Sequence, residues 1–170
     1  MSPVALVLYE SRYGSTRLIA EAVAEGLATR MPAEAREAAS TPARLGEDVT
    51  LLVVGAPTHA SPMSRAPVPR GGGVREWLAA LGPPPATLGS AAFDTRVGRP
   101  RLPGAAAHAL TRSLRRLGVR SVAPARSFAV TAVQGPPAEG ELDRARRWGE
   151  SLAARHLPAE RDAATASVHG

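Results

Sequence analysis

The stretch LYESRYGST, residues 8–16, joins a continuous apolar run to a helical pattern through a short polar loop. The run VALVLY at 4–9 is typical of a strand buried on both faces of a parallel sheet. From Ser15 onward, apolar residues recur at the spacing of an amphipathic helix. Hydroxyl side chains, backbone amides and a helix N-terminus together favour an anion, so this loop is a candidate anion site. The alternative interpretation is a Ser/Thr N-cap on an ordinary strand-to-helix turn.

The same two patterns alternate along the rest of the chain. Strands are predicted at 33–38, 49–54, 90–95 and 119–133, the first as a polar edge strand and the last broken near Pro124. Helices are predicted at 74–81, at 106–117 with Gly118 as its C-cap, and in the later part of 135–156. This alternation predicts an α/β fold with a doubly wound sheet, in which ligands bind beyond the carboxyl ends of the strands. Three loops are expected at that end: 10–16, 57–73 and 94–104.

Length and composition exclude several kinds of site. At 170 residues the chain is expected to form a single domain over 1–157, followed by a flexible C-terminal tail over 158–170. The absence of cysteine excludes disulfides and thiol catalysis, and the 4 histidines lack metal-ligand spacing. No basic leader precedes the first apolar run, and no apolar run approaches membrane-spanning length. The sequence therefore predicts a soluble, cytoplasmic protein with no membrane span and no metal site.

Two nucleotide- or phosphate-handling classes with a similar alternation are excluded by their motifs. A P-loop NTPase needs a lysine in its phosphate loop, and this chain has no lysine. A receiver domain needs an aspartate at the end of its third strand, where this chain has Gly55, Ala56 and Pro57.

The charge of the chain is carried by arginine alone. All 21 basic residues are arginine and the net charge is +6, a composition that a GC-rich genome also produces. Between residues 95 and 138 there are eight arginines and no acidic residue, which suits an anionic ligand or partner. A solvated helix face is the alternative interpretation. Nucleic-acid binding is disfavoured, because few aromatic residues interleave with the arginines and no reader motif is present.

Six blocks of the sequence resemble a known family. Residues 11–16, SRYGST, resemble the phosphate loop of flavodoxins, in which a hydroxyl residue, a spacer and a variable residue precede Gly-x-Thr. The resemblance continues through GAPTHASPMSR, GVREWL, AAFDTR, SFAV and GPPAEGELDRARRWG, in that order. Together the blocks span residues 4–155 and look like a flavodoxin branch common in high-GC bacteria. The resemblance implies a flavodoxin-like three-layer sandwich with five parallel strands in the order 2-1-3-4-5, and FMN as the cofactor.

The resemblance also implies which residues hold FMN. The phosphate would contact a loop formed by Ser11, Arg12, Tyr13, Gly14, Ser15 and Thr16. The isoalloxazine ring would lie between two further loops, which supply Pro57, Thr58, His59, Ala60, Asp94, Thr95 and Arg96. Neither of these two loops offers the Trp or Tyr that often stacks on the ring in the family. His59 either faces the flavin or its substrate, or makes a local hydrogen bond, whereas Trp77 and Trp148 are predicted to be core residues.

The implied function is redox chemistry. The chain is expected to be an FMN-binding redox protein, active in electron transfer or as an FMN-dependent oxidoreductase that reduces a small oxidant such as a quinone. The implied partners are FMN and a redox partner or small-molecule acceptor. Electron carriers of the family are typically acidic, whereas this chain places Arg96, Arg99 and Arg101 near the expected ring site, which predicts a higher flavin reduction potential. The alternative is a flavodoxin-fold protein that has lost FMN and acts as a non-redox ligand-binding, enzymatic or protein-interaction module.

Overall fold

Strands and helices alternate through the computed structural model, which describes residues 2–58, 73–98 and 102–157. Within these ranges the strands are β1 (Val4–Tyr9), β2 (Ala33–Glu37), β3 (Val49–Pro57), β4 (Gly89–Val97), β5 (Arg120–Ser121) and β6 (Arg126–Val130). The helices are α1 (Ser15–Leu27), α2 (Val74–Ala80), α3 (Ala105–Arg116) and α4 (Glu141–His156), and a short 3₁₀ turn covers Ala38–Ser40.

All these strands pair in parallel, in the order β2-β1-β3-β4-β5, and β6 also pairs with β4. The two short strands β5 and β6 therefore share the fifth position of the sheet. The strand breaks between them at a segment that contains Pro124, which has no N–H to donate to the sheet. The predicted doubly wound sheet, its strand order and the break are confirmed, as is the polar edge strand β2.

Helices cover both faces of the sheet. α1 and α4 bury one apolar cluster against it, and α2 and α3 bury a second cluster on the opposite face. In the first cluster Phe93, Phe128 and Trp148 meet edge to face, with ring centroids 5.9–6.1 Å apart. In the second, the indole of Trp77 donates a 3.0 Å hydrogen bond to the carbonyl of Thr41. Both tryptophans are 5% exposed, so they belong to the core as predicted.

The third predicted loop starts later than expected. Residues 94 and 95 were predicted both as the end of a strand and as the start of a loop, but β4 continues to Val97, so Asp94, Thr95 and Arg96 all lie in the strand. The reason is pairing on both sides, since this part of β4 lies between the end of β3 and β6. The predicted start of the loop was therefore wrong, because the loop begins after Val97. Asp94 and Thr95 still lie near the carboxyl edge of the sheet.

The end of α3 confirms a local prediction. Gly118 adopts a φ of +78°, in the left-handed region that favours glycine at a helix C-terminus. The following amide of Val119 donates to the carbonyl of Leu114 at 3.1 Å, which closes the last turn. The predicted tail at 158–170 lies outside the described residues. Among the residues that the structure does describe, no helix is long and apolar enough to cross a bilayer.

Candidate functional site

The predicted phosphate loop lies at the carboxyl edge of the sheet, between β1 and α1. Gly14 is the N-cap of α1 and has a φ of +94°, a conformation that favours glycine. The hydroxyl oxygen of Ser11 accepts a 3.0 Å hydrogen bond from the Gly14 amide and lies 3.4 Å from the Arg17 amide. Because Gly14 has no side chain, it provides no side-chain cap for the helix. The first amides of an α-helix have no intrahelical acceptor and carry partial positive charge, so this turn can receive an anion.

Two buried threonine hydroxyls meet beside this turn. The hydroxyl oxygens of Thr16 and Thr95 lie 2.8 Å apart, and the two side chains are each 3% exposed. A bond between two hydroxyls consumes only one of their two O–H donors, so one remains for a ligand. The sequence predicted both residues for the site, in different loops, and the structure brings them into contact.

The hydroxyl of Ser15 has a different role. It donates to the carbonyl of Gly135, which lies in the loop after β6. This bond ties the first turn of α1 to that loop. The backbone amide of Ser15 stays in the first turn of α1, so the residue can still contribute its N–H to an anion.

An open cavity of about 530 Å³ lies between the first turns of α1 and the loop after β6. Its lining includes Tyr13, which is 49% exposed, and a wall formed by Gln134, Gly135 and Pro136. This volume lies within the range of roughly 300–1,000 Å³ that small-molecule sites occupy. The sequence prediction missed the 134–136 wall, although its position after the last strand was a usable signal.

The charges at this cavity are largely paired. Arg17 lines it and forms a 2.9 Å ion pair with Glu21 one turn later, which raises the pKa of Arg17 further above its usual range. At the end of β1, burial raises the pKa of Tyr9, so its phenol stays protonated.

Asp94 is a fully buried carboxylate at the carboxyl end of β4, with 0% exposure. It accepts a 2.6 Å hydrogen bond from the Thr58 hydroxyl and a 3.1 Å bond from the amide of Ala107, in the first turn of α3. The hydroxyl of Ser127, on β6, also donates to it. Its negative charge therefore lies at the positive end of α3, where the helix dipole stabilises it.

The same partners complete the cap of α3. The hydroxyl oxygen of Thr58 accepts from the Ala106 amide at 3.0 Å, and that of Ser127 accepts from the Gly104 amide at 2.9 Å. The fit is close, since a Cβ on Gly104 would lie 2.4 Å from a carboxylate oxygen of Asp94. Side chains from β4, from β6 and from the residue after β3 thus hold the start of α3. Ser127 was missed at the sequence level, because its partners are 33 and 23 residues away.

Arg96 links the end of β4 to a residue shortly before α3. Its guanidinium donates a 2.9 Å hydrogen bond to the carbonyl of Leu102. Leu102 itself is 74% exposed, and Val97 is 44% exposed. The cation thus lies near the carboxyl edge of the sheet, where the sequence placed the ring site.

The remaining predicted site residues divide into two groups. Arg12 is exposed. Pro57 is the last residue of β3. The amide of the next residue, Thr58, donates a 2.8 Å hydrogen bond to the carbonyl of Thr95. His59 and Ala60 lie outside the described residues. In the part of the chain that the structure describes, no group of His, Asp and Glu side chains is arranged to hold a metal ion.

Comparisons with other proteins bear on the fold. No protein-family model and no curated protein sequence matches the chain. A flavodoxin from the domain Archaea matches with a TM-score of 0.63 and 19% identity, over 90% of this chain and 98% of that one. Oxidised flavodoxin 2 from Bacillus cereus matches with a TM-score of 0.67 and 17% identity, over 89% of this chain and 98% of that one.

A larger protein contains a similar unit. Rubredoxin oxygen:oxidoreductase from the anaerobe Desulfovibrio gigas matches with a TM-score of 0.63 and 17% identity, over 91% of this chain but 37% of that one. The likenesses agree with the strand order β2-β1-β3-β4-β5 and with helices on both faces of the sheet. The chain therefore has a flavodoxin-like fold.

Proposed function

We propose that the protein binds FMN and serves as a redox protein, either in electron transfer or in the two-electron reduction of a small oxidant such as a quinone. The observation that carries this proposal is the turn at the start of α1. It combines a left-handed glycine, a hydroxyl that braces the turn and first-turn amides of α1 that receive no side-chain cap from Gly14. The hydroxyl and the backbone amides are hydrogen-bond donors, and residues 11–16 contain no carboxylate that would compete for them. A phosphate monoester requires this chemistry.

The donor set fits the phosphate of FMN. Ser11 uses its oxygen as an acceptor from Gly14, so its own O–H is available to donate. The Thr16–Thr95 pair keeps a second O–H, and the first-turn amides of α1 supply backbone donors. Arg12 and Tyr13 are exposed on the same turn and would flank the phosphate.

The ring would lie above the ends of β3 and β4. There Pro57 and Thr58 would bound the ring on one side, and Arg96 would bound it on the other. Protein donors already engage both carboxylate oxygens of Asp94, so it would not contact the ring directly. Asp94 would instead hold Thr58 and the start of α3 in position. FMN, when bound, would supply the electron- or hydride-transfer chemistry, and the chain would supply binding, orientation and charge.

Thr16→Val is expected to weaken FMN binding by roughly 10- to 100-fold, since a hydrogen bond to a charged group contributes about 1.5–3 kcal/mol. The affinity can be measured by titrating the apoprotein with FMN and following the quenching of flavin fluorescence, alongside the visible spectrum of the purified protein. Thr111→Val is the matched control, because among the described residues the Thr111 hydroxyl bonds the carbonyl of Ala107, in its own helix. A colourless protein that ignores FMN would reject the proposal and favour the non-redox alternative.

Arg96→Gln is expected to lower the flavin reduction potential, because a nearby cation stabilises the negative charge of the reduced ring. An interaction of roughly 0.5–1 kcal/mol corresponds to a fall of roughly 20–40 mV per electron. Arg96→Lys keeps the charge but not the guanidinium, so it separates charge from the bond to Leu102. Arg155→Gln, in the last turn of α4, is the control for net charge. Equal potentials in the Gln variant and the wild type would contradict the predicted role of this cation.

A further inference from the structure

A second cavity, of about 190 Å³, lies at the edge of the sheet between β6 and α4. It is lined by Arg126, Phe128, Arg144, Arg147, Trp148 and Ser151. Three of the six lining residues are arginines and none is acidic. We propose that this cavity, which we call the edge site, binds a small oxyanion, either free phosphate or the phosphate group of a small phosphate ester.

Arg144 is held rigidly at the edge site. Its Nε and Nη2 donate to the two carboxylate oxygens of Glu141 at 3.0 Å, and Nη2 also donates to the carbonyl of Ser127. Its Cζ lies 4.7 Å from the centroid of the Phe128 ring, a cation–π geometry. A side chain fixed in this way loses little conformational entropy when it binds a ligand.

Part of this guanidinium is still unused. A guanidinium has five N–H donors, and the contacts above use the one on Nε and the two on Nη2. The two on Nη1 have no acceptor among the described residues. Arg144, which lines the cavity, thus keeps one pre-positioned nitrogen with two diverging N–H donors, and its side chain is 38% exposed.

Glu141, the acidic residue next to the edge site, does not compete with an anion for the Nη1 donors of Arg144. Glu141 is engaged by Arg144, and it also accepts a 2.6 Å hydrogen bond from the Ala129 amide at the open edge of β6. Its side chain is 15% exposed. This carboxylate is therefore committed to positioning Arg144 and to closing the sheet edge.

Two further arginines remain uncompensated. Arg126 and Arg147 are exposed, and in the described part of the chain neither forms an ion pair. The neighbouring Arg146, in contrast, pairs with Glu25 and Asp143. Within the described residues, the edge site therefore carries about two positive charges that form no ion pair.

Geometry and size together indicate the class of ligand. Guanidinium groups bind phosphate and carboxylate through parallel N–H donors, and the hydroxyl of Ser151 adds a neutral donor. Sites for drug-sized ligands occupy roughly 300–1,000 Å³, so the smaller edge site suits a compact anion. This inference is independent of the proposed FMN site, which lies at the start of α1.

The test is a titration of the full chain with inorganic phosphate at constant ionic strength, with glycerol phosphate as a second arm. Binding would be followed by calorimetry and by the indole N–H resonance of Trp148. The variant Arg126→Gln/Arg147→Gln should weaken binding at least tenfold. Arg112→Gln/Arg116→Gln removes the same charge from α3, where neither residue lines the cavity, and should leave the affinity unchanged. Tighter binding of glycerol phosphate than of phosphate would identify an ester as the ligand.

Three results would contradict the proposal that the edge site binds an oxyanion. They are no saturable binding, an equal loss of affinity in both arginine pairs, or a loss of phosphate binding in Thr16→Val with the edge-site pair unaffected. The last result would assign the phosphate to the loop at 11–16 and leave the FMN proposal intact. Conversely, FMN binding that fails while phosphate still depends on Arg126 and Arg147 would reject only the FMN proposal. Far-UV circular dichroism of each variant verifies that these surface substitutions leave the fold intact.

Discussion

Gly26→Ala is expected to destabilise the protein by about 3 kcal/mol or more, although alanine is the better helix former. α1 and α4 cross at this glycine. A Cβ on Gly26 would lie 1.9 Å from the carbonyl oxygen of Arg146 and 2.9 Å from the amide nitrogen of Glu150. Both atoms belong to the backbone of α4, so relief requires the whole helix to move. The partner residue Gly149 faces a similar constraint, since its Cβ would lie 2.2 Å from the carbonyl oxygen of Val23.

Helix propensity and the clash with α4 predict opposite signs for the change in the free energy of unfolding. Helix propensity alone predicts that alanine near the end of a helix stabilises by up to about 1 kcal/mol relative to glycine. Urea denaturation followed by circular dichroism measures the free energy of unfolding directly. Gly82→Ala is the control, because a Cβ there meets no atom within 4 Å, and its stability should stay within about 0.5 kcal/mol of the wild type. A Gly26→Ala protein more stable than the wild type would show that the two helices do not approach as described.

Asp94→Ala is expected to destabilise by about 3 kcal/mol, because it removes the acceptor shared by three buried donors. The hydroxyls of Thr58 and Ser127 and the amide of Ala107 would lose their partner. The start of α3 would also lose its compensating negative charge. Asp94→Asn keeps one carbonyl acceptor but loses the charge, so it should cost about 1–2 kcal/mol.

The same denaturation experiment, with a surface control, tests the role of Asp94. Asp143→Ala removes a carboxylate whose side chain is 73% exposed and which pairs with Arg146, and it should cost less than about 1 kcal/mol. If Asp94→Ala were as mild as this control, the buried network would not hold the start of α3. Amide hydrogen exchange across 104–107 gives a local measure, since protection there should fall in Asp94→Ala and persist in Asp143→Ala.

Local patterns were enough to predict most of the architecture. The apolar run at 4–9 and the helical spacing after Ser15 gave β1 and α1, and Gly118 and Pro124 marked a helix end and a strand break correctly. These signals act between near neighbours in the chain, since periodicity and the backbone limits of glycine and proline do not depend on distant partners. The turn at 11–16 was predicted for the same reason, and its anion-binding role stays a prediction.

Features that depend on distant partners were decided by the tertiary structure. β4 continues past the predicted strand end at residue 95 because β6 pairs with it as far as Val97, and nothing near that end in the chain reports the pairing. Ser127 joins the cap of α3 only through the parallel register of β6 with β4. By helix propensity alone, Gly26 destabilises α1. Its role becomes clear only when α4 is packed against it, because a Cβ there would clash with the backbone of α4.

The arginines show the same division. Their number and sign follow from the sequence, which carries eight of them and no acidic residue between 95 and 138. Which of them are neutralised depends on the packing of α4 against α1 and β6, since Arg146 meets Glu25 while Arg126 and Arg147 meet no acidic side chain in the described structure. The sequence thus determined the strands, the helices and the total charge through local periodicity and composition. The tertiary structure decided the partners of the buried polar groups and the free cations, because those depend on contacts between residues far apart in the chain.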